Sequence, residues 1–246
     1  MRFSFLAILV VLFYVSKARA EDMIKIPSLD GVEIVADLYK VHADTVPFIV
    51  LFHQAGWSRG EYQEIAPQLN DQGFNCLAVD QRSGGKVNGV INQTHANAKK
   101  ALKETSYLDA FQDIEAAIDL VKEMYAEGKV VIWGSSYSSS LVLKYAGDNP
   151  DAVDGILSFS PGEYFKSRSS ELISSSASNI NKPVFITSAK SEQNSWQEIY
   201  DTITSQDKVF FLPETSGNHG SRALWAKFSD HRDYWKAVNS FLSQFK

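Results

Sequence analysis

The sequence predicts an α/β protein, a doubly wound and mostly parallel sheet with helices on both faces. Three observations carry that expectation. Short apolar runs such as Phe48 to Phe52, Cys76 to Val79 and Val130 to Trp133 have the length and residue types of strands buried on both faces. Helical patterns alternate with them, and the clearest places Leu108, Phe111, Ile114, Ile118, Val121 and Tyr125 on one face. Turn signals fall between the blocks, at Asp30-Gly31, Gly73 and Gly128. Such alternation implies right-handed crossovers between parallel strands.

In chain order, Arg2 precedes an apolar run from Phe3 to Val15, which ends in Ser16-Lys17-Ala18-Arg19-Ala20. A charged start, a short apolar stretch and an Ala-x-Ala ending read as a secretory signal peptide, residues 1–20, cut after Ala20. The run is shorter than the ~20 residues that span a bilayer. Residues 21–246 are then expected to form a single domain, secreted or periplasmic, with no stable membrane insertion after cleavage. An uncleaved anchor is the alternative.

Met23 to Ile26 and Val32 to Val41 read as strands around Asp30-Gly31, followed by the Phe48 to Phe52 strand. Ser58 with Glu61 three residues later has capping-box spacing, and Tyr62, Ile65, Ala66 and Leu69 continue one helical face. After the Cys76 to Val79 strand, a loop rich in Gly and Asn is expected to about Lys100. Ser106 and Asp109 suggest a second capping box, opening the helix that Gly128 stops. Beyond the Val130 strand come a helix containing Leu141 to Ala146 and a strand at Ile156 to Phe159. The serine-rich stretch Ser167 to Ser178 reads as a surface loop or short helix. Strands follow at Val184 to Thr187 and Val209 to Leu212, then a long amphipathic helix from Ser221, broken near Asp230.

Composition narrows the function. With 44% apolar and 22% charged residues the chain is not disordered as a whole. Its net charge is −5, and loss of residues 1–20 removes three cations and no acid. An acidic chain without a basic run offers little to phosphate backbones, so no nucleic-acid partner is expected. Cys76 has no second cysteine to pair with and reads as a buried thiol.

Ligands of such sheets bind at the carboxyl ends of the strands, so the residues just past each strand matter most. Gly134-Ser135-Ser136-Tyr137-Ser138 follows a strand and precedes a helix, the context of a Gly-x-Ser-x-Gly nucleophile elbow, with Ser138 in place of the last glycine. A serine hydroxyl attacks a carbonyl only when a base takes its proton and an acid orients that base. His219, in Gly217-Asn218-His219-Gly220, sits in a loop after the last strand and is the expected base. His42, His95 and His231 read as solvated or structural, and His53 precedes the nucleophile. Glu192 is the preferred acid. Glu163 is its competitor, otherwise a pocket-wall residue or a helix-starting carboxylate. Oxyanion donors are expected from the N–H of Tyr137 and from the His53-Gln54-Ala55-Gly56 turn, at Ala55. No ligand spacing for a metal is present, and no cofactor is expected.

Taken together, these motifs resemble the α/β-hydrolase superfamily, nearest its small lidless dienelactone-hydrolase-like and carboxylesterase-like members. His53-Gln54-Ala55-Gly56 is similar to the family's His-Gly-x-x-Gly oxyanion loop, and Asp80-Gln81-Arg82-Ser83-Gly84-Gly85 to its Asp-x-Arg-x-x-Gly turn, which is usually structural. Pro183 to Glu192 resembles the strand and turn that deliver the acid. Gln54, Ser138 and Glu192 depart from the common pattern. The resemblance implies acyl transfer to water through Ser136, Glu192 and His219, on a small-molecule ester. The stretch from Ser160 to Pro183 is too short for a large lid, which favours small or soluble esters. Trp57, Tyr137, Tyr164 and Trp196 are candidate pocket walls or core residues. A non-catalytic binding protein on the same fold and a serine peptidase are the alternatives.

Overall fold

The computed structural model describes residues 22–246, so the expected signal segment lies outside the described residues. The chain begins with β1 (Asp22–Pro27) and β2 (Glu33–Tyr39), an antiparallel pair joined at the expected turn. β3 (Phe48–Phe52) is buried along its whole length. A 3-10 turn (Arg59–Tyr62) leads into α1 (Ile65–Asp71), and β4 (Asn75–Val79) follows. Next come a small hairpin, β5 (Lys86–Val87) and β6 (Val90–Ile91), then α2 (Gln93–Lys100) and α3 (Phe111–Met124). The second half alternates β7 (Val130–Ser135), α4 (Tyr137–Asp148), β8 (Gly155–Phe159) and α5 (Leu172–Ala177). It ends with β9 (Val184–Thr187), α6 (Gln193–Thr202), β10 (Lys208–Phe211) and α7 (His231–Leu242).

Eight of these strands form one sheet in the order β1-β2-β4-β3-β7-β8-β9-β10. β2 runs antiparallel to both neighbours, and every pair from β4 to β10 is parallel. Strand side chains alternate between faces. Phe48, Val50 and Phe52 therefore join a core with α3, α4, α5 and α6, while Ile49 and Leu51 join a second core with α1 and α7. Helices cover both faces, as the alternation predicted. Burial of each such side chain stabilises the fold by about 1.5–3 kcal/mol. Among the described residues no helix is long and apolar enough to cross a membrane.

Four local expectations change. Ser58 caps a 3-10 turn through Gly60 N–H rather than a long helix, and the Glu61 carboxyl points away from that cap, to Gln54 and Ser135. The expected loop to Lys100 contains the β5–β6 hairpin and α2, which is capped by Asn92 and packs on β2. Ser106 and Asp109 close a turn before α3, whose first residue is Phe111. At the C-terminus a short 3-10 turn (Ser221–Leu224) stands apart from α7, so the break is wide.

Two buried arginines brace the base of the site. Arg82, 1% exposed, reaches Asp113 at 2.7 Å and Asp30 at 2.8 Å, tying the turn after β4 to α3 and to the β1–β2 turn. Arg59 pairs with Asp80 at 2.8 Å and Asp37 at 2.7 Å. The Asp-x-Arg turn is structural here. Cys76 is buried in the second core, which pushes its thiol pKa up and leaves it protonated.

Candidate active site

Sheet order decides which loops meet. β3, β7, β8, β9 and β10 are consecutive parallel neighbours, so their carboxyl ends line one edge. The loops leaving them carry His53 to Gly56, Ser136, Ser160, Glu192 and His219, in that order across the sheet.

Ser136 occupies a sharp strand-to-helix turn with φ 61° and ψ −125°, a strained conformation for a residue other than glycine. Its N–H donates to Phe159 O at 2.7 Å, and its side chain is nearly buried. Gly134 is required beneath the turn, because a Cβ there would lie 2.4 Å from Ser138 O. Ser138, the departure from the motif, is put to use. Its hydroxyl accepts Ser135 N–H at 2.8 Å and is 2.8 Å from Phe52 O, linking the turn to the end of β3.

The turn after β3 lies beside the elbow, since Phe52 pairs with Gly134. His53 is fully buried. Its Nδ1–H donates to Gln54 O at 2.9 Å, and Nε2 accepts Gln81 N–H at 3.0 Å. Burial holds its pKa down to about 4, so it stays neutral and shapes the turn rather than exchanging protons. Ala55 follows it. Among the described residues neither the Ala55 nor the Tyr137 N–H enters a turn or loop hydrogen bond. The Tyr137 ring is anchored by Gln81 and Ser83 at its hydroxyl and faces Tyr107 at 4.8 Å.

Across the site, His219 Nδ1 lies 2.6 Å from Glu192 Oε1. The other carboxylate oxygen accepts Ser160 O–H at 2.7 Å and Ala189 N–H at 3.2 Å. Burial opposes the Glu192 charge, but the hydrogen bonds from His219 and Ser160 outweigh it and hold the carboxyl below its usual range. Glu163 does not reach the histidine. It accepts the N–H groups of Ile173 and Ser174 at 3.0 and 2.7 Å and so starts α5, one of its two expected roles.

Ser160, absent from the expected set, links three parts of the site. Its hydroxyl donates to Glu192 and accepts Gly220 N–H at 2.9 Å, while its carbonyl accepts the Tyr164 hydroxyl at 2.8 Å. Its φ of 59° is again strained for a non-glycine residue. The available signal was its place directly after a strand. Tyr164 is exposed. Trp196 is buried in the core, donating to Ser188, and Trp57 stacks on Trp225 at 5.3 Å.

Sheet order, elbow and strand-end histidine define an α/β hydrolase. The serine aminopeptidase S33 family (Hydrolase_4) matches residues 43–209, and the chain belongs to it. A serine hydrolase is therefore its class. The proline iminopeptidase of Neisseria meningitidis is 29% identical over 140 residues, covering 54% of this chain and 40% of that enzyme. This chain thus matches less than half the length of those curated relatives. An esterase of Pyrococcus furiosus superposes with a TM-score of 0.70 at 18% identity, over 96% of this chain and 97% of that one. A dienelactone hydrolase of Anabaena variabilis gives 0.69 at 13%, over 92% and 98%. At such identities the superpositions speak for the fold alone.

Proposed function

We propose that this chain is an exported serine hydrolase that cleaves small or soluble carboxylic esters, with Ser136 as nucleophile, His219 as base and Glu192 as orienting acid. The observation that carries the reading is the 2.6 Å contact of His219 Nδ1 with Glu192, made on the same sheet edge as the Ser136 elbow. With Nδ1–H donated to Glu192, Nε2 is the nitrogen left to take the Ser136 proton as Oγ bonds to the carbonyl carbon. The carbonyl electron pair moves to oxygen, where the Ala55 and Tyr137 N–H groups stabilise it. Collapse breaks the ester C–O bond, and the leaving alcohol takes the proton from Nε2. Water then attacks the acyl-enzyme, His219 accepts its proton, and Ser136 leaves with that proton as the acid product forms.

Site architecture supports a small substrate. Between β8 and β9 the chain holds only α5 and its loops. A cleft of about 470 Å³ lies between Tyr107, Leu108 and Tyr164, Phe165, Arg168; Tyr107 faces the Tyr137 ring, next to Ser136 in the chain, and the Tyr164 hydroxyl donates to Ser160 O. The N-terminal apolar run supports export. N-terminal sequencing of the protein from cell fractions checks it: a mature chain starting at Glu21 outside the cytoplasm is expected, and an intact start inside it overturns it.

A peptidase is the second reading, favoured by the family description and the proline iminopeptidase match. One panel separates the two. Short acyl esters and aminoacyl amides are offered to the wild type and to Ser136→Ala, with fluorophosphonate labelling alongside. Ester turnover and labelling that both vanish in Ser136→Ala are expected. Faster amide turnover selects the peptidase, and a folded wild type that does not label leaves only a binding protein.

A further inference from the structure

The acyl-transfer scheme leaves one neighbouring carboxyl without a part: Glu61, fully buried on the 3-10 turn between β3 and α1. Its two oxygens are divided between catalytic loops. Oε2 accepts Gln54 N–H at 2.8 Å, one residue before the proposed oxyanion donor Ala55. Oε1 accepts the Ser135 hydroxyl at 2.7 Å, one residue before Ser136. That same Ser135 oxygen accepts Ser221 N–H at 2.9 Å, two residues beyond His219. A single carboxyl, relayed through one hydroxyl, therefore joins the oxyanion turn, the elbow and the histidine loop. Trp225 reinforces the arrangement by donating its indole N–H to Glu61 O at 2.9 Å.

We propose that Glu61, in its ionised form, is a positioning residue for acyl transfer, keeping these three loops in register; the proposal rests on the serine-hydrolase reading above. Both groups that bind it are donors. The Gln54 N–H can only donate, and the Ser135 hydroxyl donates to Glu61 while its oxygen accepts Ser221 N–H. An ionised carboxylate accepts from both in charge-assisted bonds, whereas a protonated carboxyl gives up that charge assistance at Gln54 and reverses the direction of the Ser135 bond. Among the described residues the titratable and charged groups near it are His219, in the loop after β10, and Arg222, on the next turn. The phenols of Tyr62 on its own turn and Tyr137 on α4 also face it. Burial works against the charge and moves the Glu61 pKa up to about 7, with the Ser135 and Gln54 hydrogen bonds pulling the other way.

The test measures kcat and KM on a short acyl ester for wild type, Glu61→Gln and Ser135→Ala between pH 5 and 9, with fluorophosphonate labelling and melting temperatures. Glu61→Gln is expected to lower kcat by roughly 10- to 100-fold with KM within about threefold, the scale of a small misplacement. At pH 9 it is expected to melt no lower than wild type, since the buried charge is gone. The wild-type acid limb of log kcat/KM should approach a slope of about 2, one proton for the base and one for Glu61, and return to about 1 in Glu61→Gln. Ser135→Ala cuts the relay and should lose part of the same activity. Glu61→Gln turnover within about twofold of wild type, with slopes of about 1 in both, overturns the proposal. If Glu61→Gln does not fold, the wild-type slope and Ser135→Ala decide on the same terms. A folded wild type that neither labels nor turns over overturns the underlying serine-hydrolase reading, and this proposal with it. A labelled wild type with an unaffected Glu61→Gln overturns the positioning role alone.

Discussion

Two glutamates flank the histidine loop, each accepting from a serine hydroxyl and from a backbone N–H, yet the fold treats them oppositely. Glu192 is half-buried, receives His219, Ser160 and Ala189, and is held below its ordinary range. Glu61 is fully buried with, among the described residues, no ring nitrogen bonded to its carboxyl, and burial raises its pKa. Hydrogen-bond count alone does not set the charge. A cation-forming partner in contact offsets desolvation, and a hydroxyl with an amide does not. The first region can hold a fixed negative charge beside His219, while the second carries a charge that acid removes.

The comparison is broken or sharpened by a series of variants. Ser136→Ala comes first, because Ser136 is the proposed nucleophile that both glutamates would serve; turnover is expected to fall by at least about 10³-fold in a protein that still folds. Glu192→Gln should cost about 10²- to 10⁴-fold in kcat, since His219 then loses the acceptor that orients its Nδ1–H. Steady-state kinetics on a short ester reads both. Gly220→Ala attacks the ground between the two regions. With φ at +71°, and a Cβ that would sit 2.6 Å from Ser135 Oγ and 2.9 Å from Gln54 Oε1, the change strains the histidine loop. A stability loss of about 1–3 kcal/mol, seen by chemical denaturation, is expected to accompany the drop in turnover.

The pH dependence of folding tests the opposite signs directly. Glu192, held below 4.5, contributes stability above that pH and loses it as pH falls further. Glu61, raised from 4.5 to about 7, contributes below 4.5 and loses that contribution as pH rises through 7. Unfolding free energies measured by chemical denaturation from pH 4 to 9 should therefore decline less on the alkaline side in Glu61→Gln, by at most about 3 kcal/mol. Glu192→Gln should instead flatten the acid side. The smallest effect belongs to Glu163→Gln, which touches only the start of α5: turnover within about twofold of wild type and a stability loss of up to ~1 kcal/mol. A collapse in kcat there would move the acid from Glu192 to Glu163.

Much of the fold was legible because its signals are local. The solid apolar runs marked the central strands, and Ser136 and His219 stood out as polar residues just past strands. Where a signal was missing, so was the element. α2 reads Gln-Thr-His-Ala-Asn-Ala-Lys-Lys, with no apolar face to detect, and it forms because Asn92 caps it and Thr94 reaches Val35 N–H across the chain. Glu61 had the spacing of a capping box, but its carboxyl is bound 74 residues away in sequence, at Ser135. Ser160 looked like an ordinary loop serine. Its part depends on Glu192 and Gly220, which lie 32 and 60 residues further on.

The sequence by itself determined the alternation of strands and helices, the elbow at Ser136 and the order in which the candidate groups leave the strands. Hydrophobic period and turn chemistry act between near neighbours and can be read along one chain. Only the tertiary structure decided that Glu192 rather than Glu163 meets His219, and that Glu61 joins three loops instead of capping one helix. Those outcomes depend on which strands lie side by side and how deeply each carboxyl is buried. Sheet order and desolvation are properties of the packed molecule, not of any segment of it.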